Sequence, residues 1–210
     1  MDTLSDFIAS KLLKIKAVKF QINNPFTWGT GWSSPIYFDD RKVLSYPATR
    51  VAIKLELARL VAEKYPDAEV IAGVTSSAIP FAIMVADELG LPFIYIHSEP
   101  KDHGFDNMIE GDLRLHQKVV LIENQIITAA NSLKVYEAIR QNACDVLGLV
   151  ALFDYSFDLS KKALTQINLE HTSLCDYNSI VRLAIDQKLI SIADSKVLDR
   201  WYKNPEKWKK

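Results

Sequence analysis

The sequence predicts an α/β fold with a mainly parallel central sheet, and three observations support that prediction. Short, unbroken apolar runs such as Val119–Ile122 are typical of strands that are buried on both faces of a sheet. Segments with helical spacing of apolar residues, such as Ala78–Leu89, lie between these runs. Strand and helix alternate along most of the chain, which is typical of parallel βαβ units with right-handed crossovers.

Length, charge and composition indicate one sizeable globular domain. The chain has 210 residues, 49% of them hydrophobic, and a formal net charge of −1. That charge creates no field to attract nucleic acid or an anionic membrane, so we expect neither partner. The N-terminus lacks the pattern of a signal peptide, and no apolar run is long enough to span a bilayer. We therefore expect a soluble, cytoplasmic protein with Cys144 and Cys175 as buried free thiols.

The first elements are a helix, an aromatic segment and a second helix. Apolar residues recur with helical spacing over Leu4–Val18, and Thr3 or Ser5 is available as its N-cap. Phe20–Asp40 is rich in aromatic residues and turn formers, which predicts two or three short antiparallel strands. Helical spacing returns over Arg50–Tyr65.

The remaining elements build the predicted sheet and its covering helices. The expected strands are Glu69–Val74, Pro92–Ile96, Val119–Ile122, Val146–Phe153 and, at an edge, Glu170–Leu174. The expected helices are Ala78–Leu89, which Gly90 ends, then Ser132–Ile139, Leu159–Ile167, Ser179–Leu189 and Asp194–Trp201. Glu99–Asp112 has little periodicity and is predicted to be a long loop, the kind that is either a functional lid or disordered.

The predicted loop Glu123–Asn131 lies where chemistry is expected. In α/β sheets, ligands bind just beyond the carboxyl ends of the strands, and this loop directly follows one such end. Glu123 and Asn124 can reach hydroxyl groups or a metal ion. Thr128–Ser132 can present backbone amides and hydroxyls to a phosphate at the N-terminus of the next helix.

The same stretch, Lys118–Ser132, resembles the phosphoribosyl-pyrophosphate loop of type I phosphoribosyltransferases. That loop has several apolar residues, an acidic pair, two variable residues, Thr-Thr-Gly-Gly and Ser. Glu123 and Thr128 match the pattern. The other positions hold Asn124 for the second acid, Ile127 for the first Thr, Ala129 and Ala130 for the glycines, and Asn131 for the Ser, with Ser132 beside it.

Three further segments resemble orotate phosphoribosyltransferases in particular. Residues 26–47, FTWGTGWSSPIYFDDRKVLSYP, are similar to their N-terminal substrate segment, and residues 70–96 are similar to their central strand, phosphate turn and helix. Residues 100–113, PKDHGFDNMIEGDL, are similar to their flexible catalytic loop and are the most specific match. The resemblance implies the type I phosphoribosyltransferase fold, with about five strands in a mainly parallel sheet and a small N-terminal hood. We expect one domain, with helix and hood over 1–45, an α/β core over 46–177 and C-terminal helices over 178–210.

The resemblance also implies an activity and a set of site residues. The family transfers ribose 5-phosphate from phosphoribosyl pyrophosphate to orotate, with Mg²⁺ on the pyrophosphate, as a homodimer whose flexible loops reach the neighbouring site. By position, Lys101 and His103 approach the pyrophosphate, and Glu123 is the third candidate catalytic residue. The candidate substrate- and phosphate-binding residues are Ser33, Phe38, Ser76, Ser77, His97, Asn124, Thr128, Ala129, Ala130, Asn131 and Ser132; no residue is assigned as a metal ligand. For Phe38, stacking on a pyrimidine ring and packing in the core both remain open.

Departures from the family pattern leave two functional hypotheses open. Serine stands at the positions of a family lysine (Ser33) and glycine (Ser77), and His97 replaces an arginine. Asn124 is neutral, and Ala129–Ala130 is expected to bar the positive φ angles that a glycine pair allows. The first hypothesis is an orotate phosphoribosyltransferase, or a relative that uses another base. The second is a catalytically impaired relative that keeps the fold for binding or regulation.

Overall fold

The computed structural model describes residues 3–97 and 108–208. The chain forms two compact units, one made of Met1–Thr49 and Cys175–Lys210 and the other of Arg50–Leu174. Whether these units act as the single domain expected from the sequence stays a prediction. Within the described ranges, no helix is both long enough and apolar enough to cross a membrane.

The N-terminal part consists of one helix and two small antiparallel strand pairs. The elements are α1 (Leu4–Lys14), β1 (Val18–Phe20), β2 (Phe26–Thr27), β3 (Ser33–Ser34), β4 (Ile36–Phe38), a 3₁₀ turn over Asp40–Ser45, and then α2 (Pro47–Lys64). β1 pairs with β4, and β2 pairs with β3. The Thr3 hydroxyl accepts the Asp6 amide at 3.2 Å, which confirms Thr3 as the N-cap of α1. The predicted helix was too long at its C-terminal end, because Lys16 takes a positive φ of 54° and Val18 already belongs to β1.

A six-stranded sheet lies in the second unit, apart from the last two residues of its final strand. Its strands are β5 (Val70–Val74), β6 (Phe93–Ile96), β7 (Ile109–Glu110), β8 (Lys118–Ile126), β9 (Asp145–Asp154) and β10 (His171–Asp176), in the spatial order β10-β9-β8-β5-β6-β7. β5 pairs in parallel with β6 and β8, and β8 pairs in parallel with β9. The mainly parallel sheet is therefore confirmed. The sixth strand is β7, which adds to β6 in the antiparallel direction within the predicted loop.

Helices α3 (Ile79–Leu89), α4 (Ala130–Gln141) and α5 (Asp158–Gln166) follow β5, β8 and β9. All five residues of β5 are buried, as expected for a central parallel strand. Gly73 allows α3 to approach this strand, because a Cβ atom there would lie 2.9 Å from Cβ of Ala82. Gly90 ends α3 with a φ of 66°, which confirms its predicted role.

The C-terminal helices are α6 (Tyr177–Asp186) and α7 (Ile192–Lys203). Trp201 of α7 is fully buried and contacts two aromatic rings of the same compact unit, with centroid distances of 5.5 Å to Trp28 and 5.8 Å to Tyr177. Arg182 of α6 forms an ion pair with Asp6 of α1. Burial alone raises the pKa of the Asp6 carboxyl, but hydrogen bonds from Thr3 and Arg182 outweigh burial and hold that pKa below its ordinary value.

Candidate functional site

Most of the predicted site residues lie at one edge of the parallel sheet. The pairing of Val74 with Ile96, and of Gly73 with Ile122, aligns the carboxyl ends of β5, β6 and β8. The pairing of Ile126 with Asp154 adds the end of β9. Segments that leave these four strands therefore start from the same edge, which is where α/β sheets bind ligands.

The predicted loop after Ile122 is in part a strand, so that boundary was wrong. β8 continues to Ile126, and Glu123 stands opposite Ala151 of β9. The sequence pattern missed this extension because Glu123, Asn124 and Gln125 are polar, whereas their strand conformation comes from pairing with β9. The loop available for a ligand is consequently shorter than predicted and begins at Ile127.

Glu123 is buried and is held by a residue of the same predicted motif. Its side chain is 6% exposed, and Ser132, which is 2% exposed, donates its hydroxyl to Oε1 of Glu123 at 2.8 Å. A charge-assisted hydrogen bond of this kind ties the first turn of α4 to the end of β8. The bond makes Ser132 a support for Glu123. Asn124, the next residue, is half-buried.

The turn before α4 contains a left-handed residue despite its lack of glycine. Ala129 takes a left-handed conformation with φ of 62°, so the expectation that the alanine pair bars positive φ is wrong at this position. Its side chain is 5% exposed and belongs to a buried apolar cluster, and this packing offsets the cost of the left-handed backbone. Thr128 Oγ1 accepts the Ala130 amide at 3.3 Å, while Ala130 and Asn131 remain exposed.

The turn after β5 lies beside the end of β6. The Thr75 amide donates to the carbonyl of Ile96 at 3.0 Å, and the Thr75–Ser76 peptide bond is cis. Ser76 is exposed and Ser77 is half-buried. The Ser76 hydroxyl is therefore accessible at the same edge as the turn before α4.

His97 directly follows β6 and faces a carboxylate of β7. Its backbone amide donates to the carbonyl of Met108 at 2.8 Å, and its Nε2 lies 3.7 Å from Oε1 of Glu110. The imidazole also meets the Tyr95 ring edge-on at 5.7 Å between centroids. His97 thus starts the chain segment that carries Lys101 and His103, and both of those predicted residues lie outside the described ranges.

The two predicted site residues of the N-terminal segment lie in the first compact unit. Phe38 is 2% exposed and stands opposite Val18 in the β1–β4 pair, which favours the core-packing interpretation over stacking on a substrate ring. Ser33 is half-buried, and its carbonyl accepts a hydrogen bond from Nε1 of Trp201 at 3.0 Å. Sequence reasoning missed this contact, since 168 residues separate the two partners and no local pattern links them.

The residues at the sheet edge do not fit a magnesium ion held by the protein. Within residues 3–97 and 108–208, no group of three His, Cys, Asp or Glu side chains is placed to hold a metal ion. Glu123 is buried and bonded to Ser132, and Asn124 offers only a neutral amide oxygen. Mg²⁺ prefers carboxylates together with phosphate oxygens and water. Any magnesium is therefore expected to enter with a phosphorylated substrate.

Comparison with known proteins supplies close relatives, although no family model matches the chain. An orotate phosphoribosyltransferase of Porphyromonas gingivalis is 48% identical over 208 residues, which cover 99% of both chains. The crystal structure of orotate phosphoribosyltransferase from Aeropyrum pernix superposes with a TM-score of 0.76 at 23% identity, covering 88% of this chain and 99% of that one. The structure of Leishmania donovani UMP synthase gives a TM-score of 0.80 at 25% identity, covering 96% of this chain and 42% of that longer one.

Proposed function

Because the chain belongs to the orotate phosphoribosyltransferase family, we propose that it transfers the ribose 5-phosphate group of phosphoribosyl pyrophosphate to orotate in pyrimidine nucleotide synthesis. Curated relatives of that name match nearly the whole chain at 45–48% identity, which supports the same substrates here. The structural observation that carries the proposal is the left-handed Ala129 in the turn before α4, where the next two residues, Ala130 and Asn131, are exposed. This turn follows the carboxyl end of the parallel strand β8, and α/β sheets bind ligands just beyond such strand ends.

The turn and the first residues of α4 are proposed to bind the 5-phosphate. The first amides of a helix have no acceptor within the helix and carry partial positive charge. Asn131 and Ser132 contribute two such amides, and the Thr128 hydroxyl stands beside them. Ala130 and Asn131 are exposed, so a phosphate can approach from solvent without displacing the core.

The transfer step places defined demands on the rest of the site. The bond between the anomeric carbon and a pyrophosphate oxygen breaks, and the electron pair leaves with the pyrophosphate. The anomeric carbon then bonds to a ring nitrogen of orotate, which loses its proton. Because the transition state has oxocarbenium character, the protein must stabilise the departing negative charge and exclude water. We assign Lys101 and His103 to stabilise the negative charge on the departing pyrophosphate, and His103 can also supply a proton near neutral pH. The hydroxyls of Ser76 and Ser77 are further hydrogen-bond donors.

A second function, ligand binding with little or no transfer, is favoured by the surroundings of Glu123. Its carboxylate is 6% exposed and already accepts the Ser132 hydroxyl, and the adjacent Asn124 carries no charge. The site therefore supplies less negative charge to the developing oxocarbenium ion than an acidic pair does. On this proposal the protein keeps the phosphate turn and acts as a sensor or regulator.

One titration on a single preparation separates the two functions. Magnesium phosphoribosyl pyrophosphate is titrated into the protein by calorimetry, and orotate consumption is then followed on the same sample. We expect binding and turnover. Binding without turnover that Asn124→Asp restores would establish the second function, with Asn168→Asp, at an exposed turn, as the matched charge control. No binding at millimolar ligand would overturn both functions.

We also propose that the active form is a homodimer in which Lys101 and His103 of one subunit serve the neighbouring site. Sedimentation at micromolar concentration tests the assembly, and a monomer there would contradict the proposal. Mixing Lys101→Ala with Ala130→Glu, which places a negative charge in the phosphate turn, tests the shared site. Each variant alone should be inactive, and exchange of subunits should restore activity in the mixture, since one mixed site then carries neither change.

A further inference from the structure

We propose that Trp201, on the C-terminal helix α7, is a positioning residue for the Ser33–Ile36 segment. The kinetic consequence of this inference rests on the proposed function and on Ser33, which the family resemblance implies as a substrate-binding residue. The positioning itself rests on contacts within the first compact unit, which contains both Trp201 and the segment.

Trp201 donates its indole Nε1–H to the backbone carbonyl of Ser33 at 3.0 Å. The indole is fully buried, so this donor has no access to water and is satisfied by the protein. Its ring is held from two sides, by Trp28 at 81° between ring planes and by Tyr177 at 49°. A donor with so little freedom fixes the place of the carbonyl that it binds.

A second indole holds the other end of the same segment. Trp28 donates Nε1–H to the carbonyl of Ile36 at 3.2 Å, and the Ser34 hydroxyl donates to that carbonyl at 2.7 Å. Ser34 and Ile36 are both fully buried. Trp201 and Trp28, which contact each other edge-to-face, therefore bind the first and last backbone carbonyls of the four-residue segment.

The segment depends on these two hydrogen bonds because the β2–β3 strand pair that also holds it is short. β3 contains Ser33 and Ser34 alone and pairs with the two residues of β2, Phe26 and Thr27. Isolated two-stranded ribbons of this size have little stability in water. The half-buried Ser33 is therefore held in place by Trp201 of α7 as well as by its pairing with Thr27.

The test uses Trp201→Phe, which keeps an aromatic ring and removes the donor. Trp208→Phe is the matched control, because Trp208 lies beyond α7 and is half-buried. Hydrogen exchange of the Trp28 and Gly31 amides, which bond Trp32 and Trp28 carbonyls in the adjoining turn, reports on the segment without any substrate. Loss of one neutral hydrogen bond predicts exchange about three- to tenfold faster at these amides, while the amides of α1 keep the wild-type rate.

The kinetic arm measures orotate transfer well below the unfolding temperature. We expect Trp201→Phe to raise KM for orotate about three- to tenfold with kcat unchanged, since the lost contact positions bound substrate in both ground and transition states. Trp28→Phe should shift both readouts in the same direction and replaces Trp201→Phe if that variant fails to fold. Unchanged exchange at Trp28 and Gly31 would overturn the positioning role. Faster exchange with an unchanged KM would overturn the link to substrate. Absent wild-type turnover would count against the proposed function, and the exchange arm would still decide the positioning.

Discussion

Removing the hydroxyl of Ser132 should destabilise the protein by more than a typical serine substitution does. In Ser132→Ala, Oε1 of Glu123 loses the donor that lies 2.8 Å away, and the carboxylate is too buried to replace it fully with water. A hydrogen bond to a charged group contributes about 1.5–3 kcal/mol. The expected loss in the free energy of unfolding is therefore about 1.5–3 kcal/mol, or about 10- to 150-fold in the folding equilibrium.

Urea unfolding followed by circular dichroism measures this loss as a lower midpoint at an unchanged slope. The matched control is Ser195→Ala, where an exposed hydroxyl donates to the Ile192 carbonyl at 2.9 Å and the expected change is within about 0.5 kcal/mol. The double variant Glu123→Met/Ser132→Ala removes both partners and should recover much of the lost stability. Equal losses in Ser132→Ala and Ser195→Ala, or a double variant no more stable than Ser132→Ala, would refute this role of the Ser132 hydroxyl.

Three further predictions concern packing and charge away from the sheet edge. Gly148→Ala should lower the free energy of unfolding, measured in urea, by about 1–3 kcal/mol, because the new Cβ would lie 2.2 Å from the hydroxyl oxygen of the buried Tyr65. Gly29→Ala is the control and should cause no such loss, because the space around its new Cβ is open. Burial, with a smaller contribution from a nearby carboxylate, raises the pKa of Tyr65 to about 12, so its contribution to stability is complete below about pH 10 and is lost as the pH rises through about 12. Tyr65→Phe should remove that part of the alkaline loss, and an unchanged alkaline profile would contradict the assignment. Because the pKa of Asp6 is lowered, its stabilising contribution is present above about pH 4 and is lost as the pH falls through that lowered pKa. Asp6→Asn should therefore make the free energy of unfolding fall less steeply with decreasing pH. An equally steep fall in the variant would count against this.

Much of the fold could be predicted because its main signals are local. The apolar run before Glu123 and the helical spacing over Ala78–Leu89 depend on residues that are close in the chain, and both elements are present in the structure. The same is true of the Thr3 cap and of Gly90, since each acts on its neighbouring backbone. Family resemblance then added the segments that connect these elements to a phosphoribosyl site, and the relatives confirm the family.

The candidate site was less predictable because its geometry depends on partners that are distant in sequence. β8 runs past its apolar core to Ile126 because β9 supplies the hydrogen-bonding edge. Ala129 adopts a backbone conformation that favours glycine, because its methyl group packs in the core. Glu123 was predicted to reach hydroxyl groups or a metal ion, and in the structure it is buried and accepts the Ser132 hydroxyl.

Residue periodicity was thus sufficient for the order of the parallel strands and the helices between them, since it reflects interactions between near neighbours. The family was predicted from segments that resemble those of known members. Tertiary structure decided the length of β8, the left-handed conformation of Ala129 and the hydrogen bond from Trp201 to the Ser33 carbonyl. Each of these features depends on a buried contact. The contact either outweighs a local conformational preference in free energy or joins residues that are far apart in the chain. The energy of such a contact exists only once the chain has folded, so no local sequence window contains it.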